Sequence, residues 1–142
     1  MNYIGIDPGK SGALVVITPD GIDLIQSSKA TEHDVNRWLA FTSTSGPCFA
    51  MLEQVHSMPK QGVSSTFKFG QSFGFLRGLL VANEVPFEMV TPQKWQKELS
   101  CRSGGDKNVT KQKAQELFPA YKWTHATADA ALLAEYCRRM KS

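Results

Sequence analysis

Two acidic residues end strand-like runs of this sequence, in positions where they could hold a metal ion together. Asp7 ends an apolar, β-branched run and precedes a Pro-Gly turn, and Glu53 ends a second apolar run at residues 49–52. If the two runs form neighbouring parallel strands about 4.8 Å apart, both carboxylates lie at the same edge of a sheet. Because two acids that close repel each other unless a cation lies between them, the pair predicts a cation site.

A third acid, Asp129, lies in the small-residue stretch 126–131, which predicts the start of the last helix. The flanking alanines would let that helix pack tightly on the sheet, and His125 lies four residues earlier on the same helical face. A third carboxylate completes the oxygen-rich ligand set that Mg²⁺ prefers. Two such ions about 4 Å apart activate water and stabilise the leaving oxygen in phosphodiester hydrolysis.

Each of the three acids also has an ordinary explanation when it is taken alone. Asp7 could cap its own turn, Glu53 could simply reach solvent from a strand end, and Asp129 could favour the dipole of a helix. His125 alone is more typical of a surface residue. The metal-site prediction therefore depends on the acids being brought together by the fold.

The pattern of apolar residues and turns predicts a single α/β domain over residues 1–142, with a mixed five-stranded sheet and helices on both faces. The predicted strands cover residues 2–7, 12–18, 22–26, 48–55 and 86–90, and the predicted helices begin near residues 31, 64, 92, 108 and 126. The first three strands form an antiparallel meander, and helix-linked crossovers add the others. The first strand is expected at the centre of the sheet.

Positive charge is concentrated in one part of the chain, between residues 94 and 113. The whole chain carries a formal charge of +3, yet this segment has six bases against two acids and the remainder nets −1. Its bases are Lys94, Lys97, Arg102, Lys107, Lys111 and Lys113. Clustered bases of this kind are typical of a phosphate-binding surface, although an ordinary solvated lysine face remains an alternative.

The cysteine pattern and the absence of apolar spans indicate a cytoplasmic protein. The three cysteines, Cys48, Cys101 and Cys137, are far apart and include no Cys-x-x-Cys pair, so neither a disulfide framework nor a thiolate zinc site is expected. The sequence enters a strand at once, without a signal-peptide pattern, and no apolar run approaches the ~20 residues of a membrane span.

The helix predicted at residues 64–83 carries Gly70, Gly74 and Gly78 on one face. Each helical glycine costs about 1 kcal/mol relative to alanine, so three of them suggest close approach of another backbone. That backbone is either the sheet beneath or a second subunit, with the sheet slightly favoured by the pattern alone.

Three blocks of the sequence resemble the signature blocks of the RuvC-like Holliday junction resolvases. They are Ile4-Gly5-Ile6-Asp7-Pro8-Gly9, Glu53-Gln54-Val55 and Ala128-Asp129-Ala130. The likeness extends through Phe69-Gly70-Gln71 and Thr91-Pro92-Gln93-Lys94-Trp95, and it is closest to the small phage and prophage members.

This resemblance implies a ribonuclease H-like fold, a homodimer, and paired Mg²⁺-dependent nicks placed symmetrically across a four-way DNA junction. Asp7, Glu53 and Asp129 match the metal-binding acids of the family, which bind two Mg²⁺ ions, with Mn²⁺ as an alternative. At the fourth position relatives carry an acid or a histidine, and His125 matches it as a metal ligand or proton carrier. A branch-migration motor is a conceivable partner that the resemblance does not require.

The resemblance also assigns a DNA surface and a dimer contact. The expected DNA-binding residues are His56, Lys60, Lys94, Lys97, Lys107 and Lys111. Many relatives carry an aromatic wedge after the glutamate; here His56 or Met58 could open the junction, or the segment could be a flexible surface loop. The glycine helix matches the family's dimer contact, which makes the subunit and sheet explanations about equal. The three tryptophans, Trp38, Trp95 and Trp123, are interpreted as core or rim residues.

Three other functions are alternatives to a junction resolvase for this sequence. An actin-like ATPase shares the opening strand and Asp-x-Gly turn, but it needs a second half for which this chain has no room. A nuclease of the same fold acting on RNA or an RNA/DNA hybrid would use the same acids, and no pattern here reveals contacts to 2′-hydroxyls. A junction binder without catalysis gains nothing from acids that repel phosphate.

Overall fold

The computed structural model describes residues 1–54 and 62–142, whose strands belong to one sheet. Its strands are β1 (Asn2–Asp7), β2 (Ala13–Thr18), β3 (Gly21–Gln26), β4 (Cys48–Glu53) and β5 (Phe87–Val90). Its α-helices are α1 (Glu32–Thr44), α2 (Val63–Ala82), α3 (Pro92–Glu98), α4 (Lys107–Leu117) and α5 (His125–Lys141), and a short 3-10 helix spans Ser27–Lys29. These elements agree with those predicted to within a few residues, and α1 ends at Thr44, directly before the turn residues Ser45-Gly46-Pro47 that predict its end.

The five strands form a mixed sheet in the order β3-β2-β1-β4-β5. β1 pairs antiparallel with β2 and parallel with β4, and β4 pairs parallel with β5. The meander and the central position of β1 are therefore confirmed. The edge strand β3 differs from β1 because it carries the exposed Leu24 and a charged Asp23, whereas Ile4, Gly5 and Ile6 of β1 are buried.

Helices cover both faces of this sheet, as predicted. Side chains alternate along each strand, so Ile4 and Ile6 of β1 pack towards α1 and α2, in a core completed by Leu39, Leu76 and Leu80. The opposite core contains Val15 and Met51 of the sheet, together with residues of α3, α4 and α5. Its largest side chains are Trp95 and Trp123, which are fully buried. Trp38 is half-buried, so all three tryptophans are core or rim residues.

Helix α5 lies directly on the central strands, in contact with β1, β2 and β4. It begins with a capping box, in which the side chains of Thr124 and Thr127 each accept from the other residue's backbone N–H. From Thr127 to Cys137 every residue is buried, and small alanines dominate the stretch that meets the sheet. The close helix-to-sheet packing expected from those alanines is confirmed.

The glycines of α2 do not pack against the sheet. A Cβ built on Gly70, Gly74 or Gly78 would meet no atom of the described residues within 4 Å. The explanation by sheet packing is therefore wrong, because this face of the helix is turned away from the sheet and lies open. None of the helices in the described part of the chain combines the length and hydrophobicity of a membrane span.

Candidate metal centre and nucleic-acid surface

The parallel pairing of β1 and β4 places Asp7 and Glu53 side by side at the carboxyl edge of the sheet. The register joins Ile6 to Leu52, so the next residue of each strand is an acid. Asp7 is half-buried, and Glu53 is 6% exposed at the end of its strand, opposite Val90 of β5. The predicted approach of these two acids is confirmed by this register.

Asp129 reaches the same region from the second turn of α5. It is 6% exposed, and its carboxylate contributes to the electrostatic environment of both Asp7 and Glu53. One of its oxygens, Oδ2, accepts a hydrogen bond from Lys107 Nζ at 3.2 Å. The other, Oδ1, is buried and has no hydrogen-bond partner among the described residues. A buried carboxylate oxygen without a donor is costly, and a cation ligand is one way to satisfy it.

The charges of this cluster are strongly perturbed. Burial raises the pKa of Asp7 well above its ordinary value, and the nearby Glu53 and Asp129 raise it further. Burial also raises the pKa of Glu53, to about 7, although the hydrogen bond from Trp95 opposes this shift. Asp7 and Glu53 are costly to ionise because they are buried side by side, and the negative charge of Asp129 adds to that cost. In the absence of a cation, the raised pKa values favour proton uptake by this pair of acids.

A tryptophan side chain fixes one end of this cluster. Trp95 of α3 donates its indole N–H to Glu53 Oε2 at 2.8 Å, and the ring is fully buried. Helix α3 is held in place at its start, where the Thr91 side chain accepts from the backbone N–H of Lys94 and Pro92 occupies the first turn. The sequence predicts Trp95 only as a core or rim residue, and no pattern in it shows that the indole N–H meets Glu53, 42 residues earlier.

A cleft of about 620 Å³ opens beside the acids. Its walls include Glu53 and Asp129 together with two bases, Arg102 and Lys107, and a glycine pair at residues 104 and 105. The pKa of Lys107 is raised, because attraction to Asp129, Asp7 and Glu53 outweighs the effect of its partial burial. This cleft joins the acids to the basic segment. Arg102, a base of that segment, lines the cleft, although the sequence alone does not assign it to a site.

A second groove, of about 870 Å³, begins on the other side of the acids at Pro8 and Gly9, directly after Asp7. It runs between the β1–β2 turn and α2, and two lysines, Lys10 and Lys68, lie on its walls. It is larger than the cleft but contains none of the three acids, so it is a flanking surface of the candidate centre.

The remaining predicted site residues that the structure describes do not line the cleft. Lys94 and Lys97 are exposed on α3, and Lys111 is exposed on α4. His125 is exposed at the first position of α5, one turn before Asp129, and its Nε2 lies 3.1 Å from Asn108 Oδ1 of α4. His56, Met58 and Lys60 lie outside the described residues.

Solved structures with this architecture are known. The chain is similar to Thermus thermophilus RuvC in complex with a Holliday junction substrate, at 16% identity and a TM-score of 0.67, over 99% of this chain and 96% of that one. A second T. thermophilus RuvC structure gives a TM-score of 0.63 at the same identity and coverage. The chain has the RuvC fold. No protein-family model and no curated protein sequence matches it.

Within the RuvC fold of this chain, the acids offer a suitable set of ligands for a hard divalent cation. They present only carboxylate oxygens, and Asp129 Oδ1 has no other partner among the described residues. Within residues 1–54 and 62–142, however, the side-chain positions bring no three acid, histidine or cysteine groups close enough together to bind one ion. The ammonium of Lys107 lies against Asp129 instead, at 3.2 Å. The residue types fit Mg²⁺, and the raised pKa values of Asp7 and Glu53 mean that protons compete with the ion for these oxygens.

Proposed function

We propose that this protein is a Mg²⁺-dependent endonuclease that resolves four-way DNA junctions by paired, symmetric nicks. The observation that carries the proposal is the convergence of Asp7, Glu53 and Asp129 beside a basic cleft, on a RuvC fold. A buried acid cluster repels a phosphate backbone unless cations bind to it, so the cluster is suited to chemistry on DNA only with metal.

The three acids would hold two Mg²⁺ ions, with Mn²⁺ as an alternative. Bound there, the ions would activate a water molecule and stabilise the oxygen that leaves the phosphodiester. Lys107 donates to Asp129 in the metal-free state and is half-exposed, so its ammonium is placed to contact a phosphate at the mouth of the cleft. His125 lies one turn from Asp129, where an imidazole could bind metal or transfer a proton.

The bases around the cleft would bind the DNA backbone. Four lysines would contact phosphates without reading base sequence: Lys94, Lys97, Lys107 and Lys111. Arg102, which lies in the cleft wall with Lys107, adds a fifth base. His56 and Lys60 remain part of the proposed DNA surface. On the far side of the acids, the DNA backbone would continue along the groove that contains Lys10 and Lys68. Bases on both sides of the centre suit a substrate longer than a single phosphate.

Helix α2 would form the contact between two subunits of a homodimer. The helix is strongly apolar, yet Leu76 and Leu80 are its only buried residues in the described structure. Phe67 and Val81 are 64% exposed, and the three glycines offer a face that another backbone can approach. Two equivalent centres related by a twofold axis are what symmetric nicking of a four-way junction requires.

The nearest alternative is a nuclease acting on RNA or on an RNA/DNA hybrid, because the same acids would serve it. The cellular role that follows from junction cutting is recombination or phage genome processing in the cytoplasm of a bacterium or an infected host. A branch-migration motor would not be needed for the chemistry itself.

The test is incubation of the protein with labelled four-way junction, linear duplex and RNA/DNA hybrid, with Mg²⁺ or with EDTA. We expect paired nicks on the junction alone, lost with EDTA and in the Asp7→Asn variant. Preferential cutting of the hybrid would move the function to RNA processing. Junction binding without any cutting by the unmodified protein would make it a binding protein.

A further inference from the structure

The three tryptophans of the chain differ in what their indole N–H groups bind. Trp123 donates to the backbone carbonyl of Phe118 at 3.1 Å, and Trp38 donates to Asp23 Oδ2 at 3.0 Å, near the edge strand β3. Trp95 donates to Glu53 Oε2 at 2.8 Å, which makes it the one indole in the described chain that contacts an acid of the candidate centre.

The Trp95 donor is held rigidly. Its side chain is fully buried, at 0% exposure, in the core that also contains Leu99 and Val90. Indole N–H is only a donor, so its interaction with a carboxylate cannot reverse. Glu53 has a long side chain that would otherwise lose conformational freedom on binding an ion. The hydrogen bond fixes the carboxylate before any ion arrives.

The type of donor matters as well as its position. Lys107 also contacts the acid cluster, through Asp129, but its ammonium carries a charge that repels an incoming cation. The indole of Trp95 carries no net charge and occupies only one oxygen of Glu53. It therefore orients a carboxylate without competing with the cation for it. A neighbour that orients a metal ligand in this way commonly changes metal affinity by tenfold or more.

We infer that Trp95 is a positioning residue of the metal centre, whose indole N–H fixes the Glu53 carboxylate for divalent-cation binding. This inference rests on the proposed function, because it takes Glu53 as a metal ligand. It assigns the short helix α3 a task beyond packing, since the helix delivers that N–H to the edge of the sheet where β4 ends.

The test compares Trp95→Phe with Trp38→Phe, which also removes an indole-to-carboxylate hydrogen bond but lies away from the acids. Mn²⁺ and Mg²⁺ binding to the DNA-free proteins is measured by calorimetry, and the Mg²⁺ dependence of junction cutting is measured separately. We expect Trp95→Phe to weaken metal binding by roughly tenfold to a hundredfold. Higher Mg²⁺ should restore most of the cutting rate, and Trp38→Phe should bind metal like the unmodified protein.

A role in packing alone would give a different result. Trp95→Phe would then melt at a lower temperature but bind Mn²⁺ with unchanged affinity, and that outcome would overturn the inference. Because loss of the large ring could unfold the protein, a second variant, Trp95→benzothienylalanine, keeps the shape of the ring and replaces only the N–H by sulfur. Unchanged metal affinity in that variant would also overturn it.

The inference and the proposed function can fail separately. A protein that binds Mn²⁺ through a Trp95-dependent centre but cuts no junction retains the inference and loses the proposed activity. A protein that cuts junctions with the same Mg²⁺ dependence in both tryptophan variants retains the activity and loses the inference. If the unmodified protein binds no divalent ion, both are wrong.

Discussion

Gly5 of β1 lies so close to Ala130 of α5 that residue 5 has no room for a side chain. A Cβ at this position would overlap the carbonyl oxygen of Ala130 and the amide nitrogen of Ala134. These are backbone atoms, which cannot move without shifting the helix. Because Gly5 is two residues from Asp7 and Ala130 adjoins Asp129, this contact sets the distance between two acids of the candidate centre.

Gly5→Ala should therefore destabilise the fold and disturb the centre. Overpacking of this kind costs about 1–3 kcal/mol, and the backbone contact places it at the upper end. The measurement is denaturant unfolding, followed by Mn²⁺ binding under conditions where the variant is folded. The matched control is Gly46→Ala, whose Cβ would lie 3.6 Å from the nearest atom, Asn2 Nδ2, an ordinary contact. Equal stability of the two variants would contradict the close packing.

Asp7→Asn should abolish cutting and leave junction binding intact or stronger. The substitution removes a proposed metal ligand and also an ionisable acid from the cluster near the phosphates. Metal ions supply several kcal/mol to phosphodiester cleavage, so the cutting rate should fall by at least about a hundredfold. Binding is measured by mobility shift in EDTA. A folded variant that no longer binds the junction would show that Asp7 organises the surface instead of the chemistry.

Lys107→Ala should weaken DNA binding and reduce its dependence on salt. A lysine that contacts one phosphate contributes about one unit to the slope of log affinity against log salt concentration. The comparison is Arg37→Ala, which removes a base on α1 that pairs with Asp34. That variant should keep the original slope. An unchanged slope for Lys107→Ala would place this side chain away from the DNA.

Without metal, the protein should be more stable at pH 5 than at pH 8. The pKa values of Asp7 and Glu53 are raised in the folded state, so the folded protein holds protons that the unfolded chain loses. Their contribution to the free energy of unfolding is fully present below the unfolded pKa values, about 4. It is lost as pH rises through the folded pKa values, and that of Glu53 is about 7.

The measurement of this effect is the melting temperature in EDTA across that pH range. Glu53→Gln should flatten the decrease, because an amide does not ionise. Mg²⁺ should restore stability at pH 8, since an ion that binds only the folded state stabilises it. A melting temperature that rises steadily with pH in EDTA would contradict the raised pKa values.

Gly74→Leu should dissociate the proposed dimer, because a large side chain would fill the open glycine face of α2. Sedimentation velocity gives the oligomeric state, and Gln112→Leu provides the comparison, since it adds the same side chain at an exposed position on α4. Gly74→Ala gives a second readout. In an isolated subunit it should stabilise the helix by about 1 kcal/mol, whereas in a dimer it would crowd the contact. A variant Gly74→Leu that remains dimeric would place the contact elsewhere.

The sheet and the approach of Asp7 to Glu53 could be predicted because both depend on local patterns. Apolar runs ended by turn residues define β1 and β4, and the period of a strand determines which side chains share a face. Once the two strands are parallel neighbours, acids at matching ends must meet. Asp129 followed from the alanines around it, which indicated a helix packed closely on the sheet.

The contacts that tune this cluster could not be predicted in the same way. The bond from Trp95 to Glu53 joins residues 42 positions apart, and that from Lys107 to Asp129 joins residues 22 apart. Each contact depends on the position of a short helix in three dimensions, and no periodic pattern in the sequence indicates that position. For the glycines of α2 the pattern itself was clear, but the spacing that implies close packing does not identify the partner that packs there.

The position of α5 has a consequence for the order in which the protein is made. Helix α5 leaves the ribosome after the central strands β1, β2 and β4, and it supplies both Asp129 and the apolar cover of those strands. A nascent chain that ends before residue 125 lacks one wall of its core and one of its three acids. During synthesis the chain therefore completes its candidate metal centre at the same moment as its core.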